Sequence, residues 1–478
     1  MYLALKICIR LPCVAAFMPG VALALTLGYG PPLRAQIAIP APSDRPQAIA
    51  AGTDGFLASL GAQAATAEFV ARLSAAAARL PVLGERAADV AAARAQRDQA
   101  RSRLFPGLGV DLVASRTIDR DLQSPSTQVE LLAPRSRNDA IGSIDQLLTD
   151  FGATSARIRA GNASADAARA ELDAARNGAL LQLASTWYQV LSAQTSLALA
   201  TSNVVRMREL AQGAALRFES GIDSGGEVAR ARSYLAAAQS QSIDFERQRR
   251  GAEARYVELF GIEPGTLARP DARLGDGTAA SERPELVAAR AELAASRAAV
   301  TAARSDRLPR LSARLTSSAF NVLRSSDVPY DIRGLVTLSQ RFSTGGAEAA
   351  RVAELSARQQ AAGLATQRIA AATTREASSA EADVEGFARA LPALEASYLD
   401  SRRARDLFAE QFRVSRGTLF DVLQAERDLL DAALMLARSQ YELDLARLTL
   451  LARRGGMIEA FGLTPAVAGN DKVMGARP

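Results

Sequence analysis

Two hydrophobic periods alternate along this chain. Between 153 and 217, Leu183, Val190, Leu197 and Val204 fall seven residues apart in a run without proline. That spacing belongs to a long helix with a narrow apolar seam. From 418 to 454, Val422, Leu429, Leu436, Leu443 and Leu450 recur every seven residues, and Ala425, Ala432, Ser439 and Ala446 do so three places on. Large residues at one seam position and small ones at the other let helices approach closely, as in a coiled coil. Elsewhere the period drops to two. Leu108, Val110, Leu112 and Ala114 alternate with Gly109, Asp111, Val113 and Ser115. Leu311, Ala313 and Leu315 alternate with Ser312, Arg314 and Thr316. These are strand patterns.

The patterns predict an irregular lead-in over 36–61, rich in Pro, Ala and Gly, and then two repeats. The first, 62–281, holds helices 62–80 and 82–104, strands 107–116 and 140–149, and helices 153–217 and 224–260. The second, 282–462, holds a helix 285–307, strands 310–320 and 332–342, and helices 347–411 and 418–454, with a tail over 463–478. Polar stretches, Thr117–Asn138 and a loop with Ser325, Asp327 and Pro329, join the strands of each pair.

The repeats are copies. Pro81 and Pro106 return as Pro284 and Pro309, both 203 residues later, and Leu83, Ala88 and Arg101 return as Leu286, Ala291 and Arg304. Gly152, Arg157, Phe218, Val228 and Ala231 return 194 residues on as Gly346, Arg351, Phe412, Val422 and Ala425. Only the stretch between these matched blocks changes length. A unit of this size is not a solenoid repeat of ~20–50 residues; it suits a pseudo-symmetric protomer of a ring.

Length sharpens the picture. A helix of about 64 residues is ~96 Å long at 1.5 Å per residue. Its antiparallel neighbour of about 37 residues covers only part of it. The helix at 82–104, or its copy at 285–307, supplies the missing length if stacked end to end. Each copy becomes a long rod beside a split rod, with a two-stranded hairpin at one end.

Composition removes most chemistry. Residues are 48% hydrophobic, much of it Ala, only 5% aromatic, and His is absent. Without His the commonest general base and metal ligand is missing. There is no nucleophile–base pair, metal-ligand spacing or phosphate loop. Gly225, Gly226, Gly345 and Gly346 are turn glycines outside a strand–loop–helix context. Trp187 with Tyr188 reads as packing. We expect no enzyme activity, cofactor or metal. The formal net charge is +6, of which Lys6, Arg10 and Arg34 in the acid-free first 35 residues carry half. The remaining acids and bases are interspersed, as on solvated helix faces, so no nucleic-acid partner is expected.

Residues 1–35 read as a secretory signal peptide: Lys6 and Arg10, an uncharged run from Leu11 to Leu27, and cleavage after Ala35. The two cysteines, Cys8 and Cys13, lie inside it. Arg10, Leu11 and Pro12 make a poor lipidation context for Cys13, so the mature chain is expected to lack Cys, as suits export without disulfides. No other segment reaches the ~20 uncharged apolar residues of a spanning helix, so entry into a membrane requires a closed β-barrel. The strands have about the ten residues a tilted barrel strand needs. An ordinary soluble hairpin would need a second layer as cover, which Ala-rich helices do not supply.

Four stretches carry a family resemblance: Gln146 to Ala153 (QLLTDFGA) with its copy Ser339 to Gly346 (SQRFSTGG), and Phe218 to Val228 (FESGIDSGGEV) with Phe412 to Leu423 (FRVSRGTLFDVL). In this order, with the signal peptide and the duplicated helix–strand–strand–long helix–helix plan, the chain resembles the TolC family of outer membrane efflux proteins over nearly all of 62–462. The resemblance implies a mostly α fold with a membrane β-barrel portion. In it a homotrimer closes a 12-stranded barrel in the outer membrane lipid and a helical tunnel through the periplasm, belted by 62–80, 262–283 and the C-terminus. Closure across subunits removes the bare edges of four strands. It sets Asp111, Ser115, Arg314 and Thr316 toward water and Leu108, Val110, Leu112, Leu311 and Leu315 toward lipid.

The same resemblance implies a constricted periplasmic tip. Asp421 matches the position whose carboxylate, repeated by threefold symmetry, rings the entrance; Glu227 is its counterpart in the first repeat. The next acidic position of the family is Gln424 here, which implies weaker cation preference than two rings give. An alternative reading makes Glu227 and Asp421 helix caps, with Ser224 and Thr418 as N-caps: a capping box in the first turn and near one in the second. The readings are compatible. Phe412 and Arg416 lie beside the family's gating contacts, but Phe lacks the Tyr hydroxyl and the Arg is one place early, with Gly417 in its spot. We expect instead that Arg413 or Arg416 pairs with Asp223 or Glu227 across coils.

The reading that results is a passive exit duct of a tripartite efflux pump or type I secretion system. An inner-membrane ABC or proton-driven transporter supplies it through a periplasmic adaptor. The competing reading, a periplasmic coiled-coil adaptor or scaffold without a barrel, does not account for two copies with ten-residue strands.

Overall fold

In the computed structural model, described over residues 37–119, 136–271, 282–323, 328–340, 342 and 345–463, the two halves of the chain share one plan of helix, two strands, long helix and helix. The signal segment with Cys8 and Cys13, Ser325, Asp327 and the tail after Leu463 lie outside the described residues. In the first half, α1 (Gly55–Gly61) and α2 (Thr66–Ala77) precede α3 (Pro81–Ser102), β1 (Gly107–Arg116), β2 (Ser136–Thr149), α4 (Ala153–Glu219) and α5 (Gly225–Phe260). The second half holds α6 (Pro284–Ser305), β3 (Arg310–Ala319), β4 (Tyr330–Ser339), α7 (Ala347–Arg413), α8 (Leu419–Arg453) and α9 (Met457–Ala460).

The matched residues mark the joints. Pro81 and Pro284 open α3 and α6, both of 22 residues, where a missing N–H costs nothing and the fixed φ suits a helix. Gly152 and Gly346 sit at φ +99° and +73° immediately before α4 and α7, both of 67 residues. That left-handed turn from strand to helix favours glycine. The long α4 packs against α3, α5, α6 and α8, and α7 against α6 and α8.

The sheet is an antiparallel meander in the order β1-β2-β3-β4. Its register puts Leu108, Ile144, Leu315 and Gly334 in one row, Val110, Gly142, Ser317 and Ile332 in the next, and Leu112, Ala140, Ala319 and Tyr330 in a third. Because opposite residues share a face, Leu108, Val110, Leu112, Leu311 and Leu315 all lie on one apolar face. Leu108, Val110 and Leu112 are 78–79% exposed in the protomer. The other face carries Asp111, Ser143, Asp145, Arg314, Thr316 and Arg333, with Arg314 donating to Asp145 across the strands. β1 and β4 are unpaired along their outer edges.

Helix packing centres on the middle of α4. Trp187 meets Phe69 of α2 edge-on at 5.2 Å, and its indole N–H donates to the Ala268 carbonyl at 3.2 Å. Tyr256 and Phe260 of α5 stack at 3.9 Å beside it. Leu429, Leu430, Leu436 and Tyr441 of α8 close the same cluster.

The strand expected over 332–342 runs Tyr330–Ser339, in register with β3 from Ala319 to Arg310, and three further segments differ from the sequence pattern. The lead-in is not irregular throughout: Asp54 caps α1 by accepting from Leu57 N at 2.9 Å, and Phe56 and Leu60 are buried. The helix expected over 62–80 is confined to Thr66–Ala77, because Ala64 is drawn into a bridge with Pro270 and donates to the Arg269 carbonyl at 2.8 Å. β2 starts at Ser136 rather than 140, since Asn138 and Asp139 lie in register with Ala114 and Val113, and Asp139 is bound by Arg137.

Candidate functional site

Each long helix reverses into its shorter partner through a tight turn, and the two turns are built differently. In the first, Gly221 takes φ +71° and Ser224 caps α5. The Ser224 hydroxyl accepts from Glu227 N at 3.3 Å, and Glu227 accepts from Ser224 N at 3.2 Å. Arg217 Nε donates to Asp223 Oδ2 at 2.9 Å, and this hydrogen bond raises the arginine pKa. The same guanidinium lies over the ring of Phe412, 4.7 Å from its centroid, which ties the first turn to the second.

In the second turn Ser415 occupies the left-handed position at φ +58°. Gly417 stands where the first turn has Asp223, and a Cβ there would lie 3.2 Å from Gln411 Cβ and 3.3 Å from Phe412 N. Close backbone packing replaces the ion pair. Thr418 caps α8 with Asp421 in a complete capping box: Asp421 accepts from Thr418 N at 3.2 Å and Oγ1 at 2.6 Å. The near-box expected from the shorter Asp is thus closed. Gln424 donates to Asp428 at 2.8 Å and accepts from Tyr234 of α5 at 3.4 Å. Arg413 and Arg416 are exposed, and among the described residues neither meets a carboxylate within the protomer. Asp223 and Glu227 are held inside their own turn.

Two helical turns from these reversals lies a constellation that pattern reading missed. Glu426 of α8, 1% exposed, accepts from Arg206 of α4 at 2.8 Å and from Arg405 of α7 at 3.3 Å. Burial alone would lower the Arg206 pKa; the hydrogen bond and charge of Glu426 outweigh it and leave it raised. Arg405 also donates to Asp406 and, at 2.9 Å, to the Pro40 carbonyl, while Asp406 accepts from Ser43 N at 3.1 Å. Further along, Asp54 accepts from Tyr398 and Arg402, and Arg403 donates to the Ile49 carbonyl. The lead-in is strapped to α7 by its own backbone carbonyls and one carboxylate.

The lengths and repeats of these elements point to a known architecture. Residues 72–261 and 277–456 match the model of a family described as outer membrane efflux protein. The chain belongs to the outer membrane efflux protein family. Its fold matches that of VceC from Vibrio cholerae, with a TM-score of 0.70 and 18% identity over 82% of this chain and 96% of that one. It also matches the MtrE outer membrane channel of Neisseria gonorrhoeae, with a TM-score of 0.65 and 20% identity over 81% of this chain and 89% of that one. CyaE from Bordetella pertussis is 30% identical over 119 residues, a quarter of each protein.

As a member of this family the chain is an outer membrane protein with a periplasmic helical portion. No described helix is long and apolar enough to cross a membrane. The signal for the missed network was present: Glu426 sits three and four residues from Leu423, Val422, Leu429 and Leu430, on the apolar stripe itself. A carboxylate there must be paired.

Proposed function

We propose that three copies of this chain close a twelve-stranded barrel in the outer membrane and continue it as a helical tunnel. The assembly is a passive exit duct, fed by an inner-membrane ABC or proton-driven transporter through a periplasmic adaptor. One observation carries the reading: a four-stranded sheet with an exposed apolar face and two open edges is a template for pairing with another chain, and joining β4 of one protomer to β1 of the next satisfies both edges. Asp421 and Glu227 are then the carboxylates nearest the tunnel entrance, serving as helix caps and as a ring that favours cations. Arg413 and Arg416, unengaged in the protomer, are available to carboxylates of a neighbouring one.

Outer membrane fractionation with and without boiling tests the first part. The expected result is a heat-modifiable trimer that conducts in planar bilayers. A monomer that stays dispersed without detergent overturns the reading. For the tip, Arg413→Ala and Arg416→Ala channels should conduct more than the parent, and unchanged conductance in both removes the latch.

A further inference from the structure

The four helix ends that meet the sheet carry an excess of unpaired positive charge. Arg101 and Arg304, one residue before the ends of α3 and α6, are matched by the repeat, and Arg103 and Arg307 lie just beyond those ends. Arg159 lies six residues into α4 and Arg351 four residues into α7, about 9 and 6 Å from the strand junction at 1.5 Å per residue. All six are exposed, and among the described residues none meets a carboxylate. The acids at the same level are taken. Asp98 is bound by Arg97, Asp306 by Arg157 and Arg310, and Asp145 by Arg314. Asp150 accepts from Thr154 N at 2.7 Å and Oγ1 at 2.6 Å. Glu348 alone is unpaired there among the described residues.

Helix-end electrostatics does not account for the pattern. Arg at the C-terminal ends of α3 and α6 complements the helix dipole, but Arg159 and Arg351 lie beyond the first turn of α4 and α7, where the dipole gives a cation no advantage. What the six share is depth. Phe105, Phe151 and Phe342, each more than half exposed, stand at the same junctions, as aromatic side chains do at a membrane interface. A bilayer's headgroup layer is roughly 5–8 Å thick on each side, close to the depth of this band. Beside Arg103 and Phe105 a groove of about 290 Å³ opens toward Arg157 and Arg310.

We propose that this arginine band binds the headgroups of anionic phospholipid in the periplasm-facing leaflet of the outer membrane. The inference rests on the barrel reading above. Guanidinium groups pair with phosphate oxygens in fork geometry, and a juxtamembrane basic cluster beside an apolar face is the arrangement that selects anionic lipid.

The test uses the full-length detergent-purified protein, delipidated and supplied with phosphatidylethanolamine or phosphatidylglycerol. Bound lipid is counted by native mass spectrometry. The parent should retain phosphatidylglycerol at least fivefold over phosphatidylethanolamine. R101Q/R103Q/R304Q/R307Q should lose that preference, and the corresponding lysine variant should keep most of it. If the fourfold variant fails to assemble, the pairs R101Q/R304Q and R103Q/R307Q are used. Equal retention of both lipids by the parent, or an undiminished preference in the glutamine variants, overturns the proposal. So does full competition by millimolar inorganic phosphate, which would mark a general anion site. A glutamine variant with altered pore ion selectivity and intact lipid preference would place the arginines in the lumen, against the proposal. Loss of lipid preference in a variant that still forms a conducting trimer separates this inference from the barrel reading itself.

Discussion

Helices α5 and α8 are copies 194 residues apart, yet they live in different surroundings. α8 is buried along its whole length, from Leu419 to Ala452. α5 is buried only at its ends, at Val228, Ala231 and Ala238 near the turn and at Tyr256 and Phe260 near the middle of α4. α8 also carries two acids on its buried face, Glu426 and Asp444, each held by arginines from other elements: Glu426 by Arg206 and Arg405, Asp444 by Arg269 at 2.6 and 3.0 Å. The corresponding positions in α5 are Arg232 and Arg250, of opposite sign and exposed. Repeat symmetry therefore sets the backbone, while buried charge docks the segments that are not repeated. Arg405 holds the lead-in through Pro40, and Arg269 holds both Asp444 and, at 3.1 Å, the Leu60 carbonyl. A buried ion pair is a poor source of net stability and a good device for selecting one register.

The sharpest way to break the contrast is to remove one partner from α8 and its counterpart from α5. Glu426→Ala takes a carboxylate from two guanidinium groups, one of them 1% exposed, leaving Arg405 with Asp406 and Arg206 with Glu209. The expected loss is therefore below the ~3–5 kcal/mol of a buried charge left wholly unpaired, at about 2–3 kcal/mol. Arg232→Ala at the exposed matching site should change stability by about 0.5 kcal/mol or less. Midpoints of denaturant unfolding in detergent compare them, and similar midpoints for the two variants would remove the distinction. Glu426→Gln, which keeps one acceptor oxygen for one of the two arginines and loses the charge, should fall between.

The next pair compares the two turns. Asp223→Ala takes from Arg217 its carboxylate partner, whose side chain is 6% exposed, and should cost about 1 kcal/mol, since the guanidinium can still reach water. Gly417→Ala puts a Cβ against Gln411 and the Phe412 backbone, and should cost about 1–2 kcal/mol by overpacking. The turns also meet through Arg230 over Phe420 and the Tyr234–Gln424 hydrogen bond, but Asp223 and Gly417 are linked only by way of Arg217 and Phe412, so the two losses should nearly add. A coupling above about 0.5 kcal/mol in the double variant would show that the turns act as one unit.

Much of this was readable beforehand, and what was not has a common cause. The heptads of α4 and α8, the alternation in β1 and β3, and the paired prolines and glycines all rest on local spacing, which determines local structure directly. The apolar face of the sheet followed from the same alternation. The lead-in was not legible because Phe56 and Leu60 are too few to show a period, and its order comes from partners about 350 residues away, such as Asp54 with Tyr398 and Arg402. The tip residues Asp421 and Glu227 were legible as caps because a capping box is a spacing. The Arg217–Asp223 pair was not, since a turn's geometry decides whether residues six apart meet.

The smallest expected effects come from exchanging the left-handed residues. Gly221 and Ser415 hold the same position in the two turns, at φ +71° and +58°. A residue with a Cβ is disfavoured there by ~1–2 kcal/mol. Glycine recovers that but loses roughly 0.4–1 kcal/mol through the greater freedom of its unfolded chain. Ser415→Gly should therefore stabilise by about 0.5–1 kcal/mol, and Gly221→Ser should destabilise by about as much, with the double exchange near neutral. If Ser415→Gly instead destabilises, the serine is held by something beyond backbone geometry. The second turn would then be a strained element kept for the tip's function, and opening assays on Ser415→Gly channels would show a shift that the Gly221→Ser channels lack.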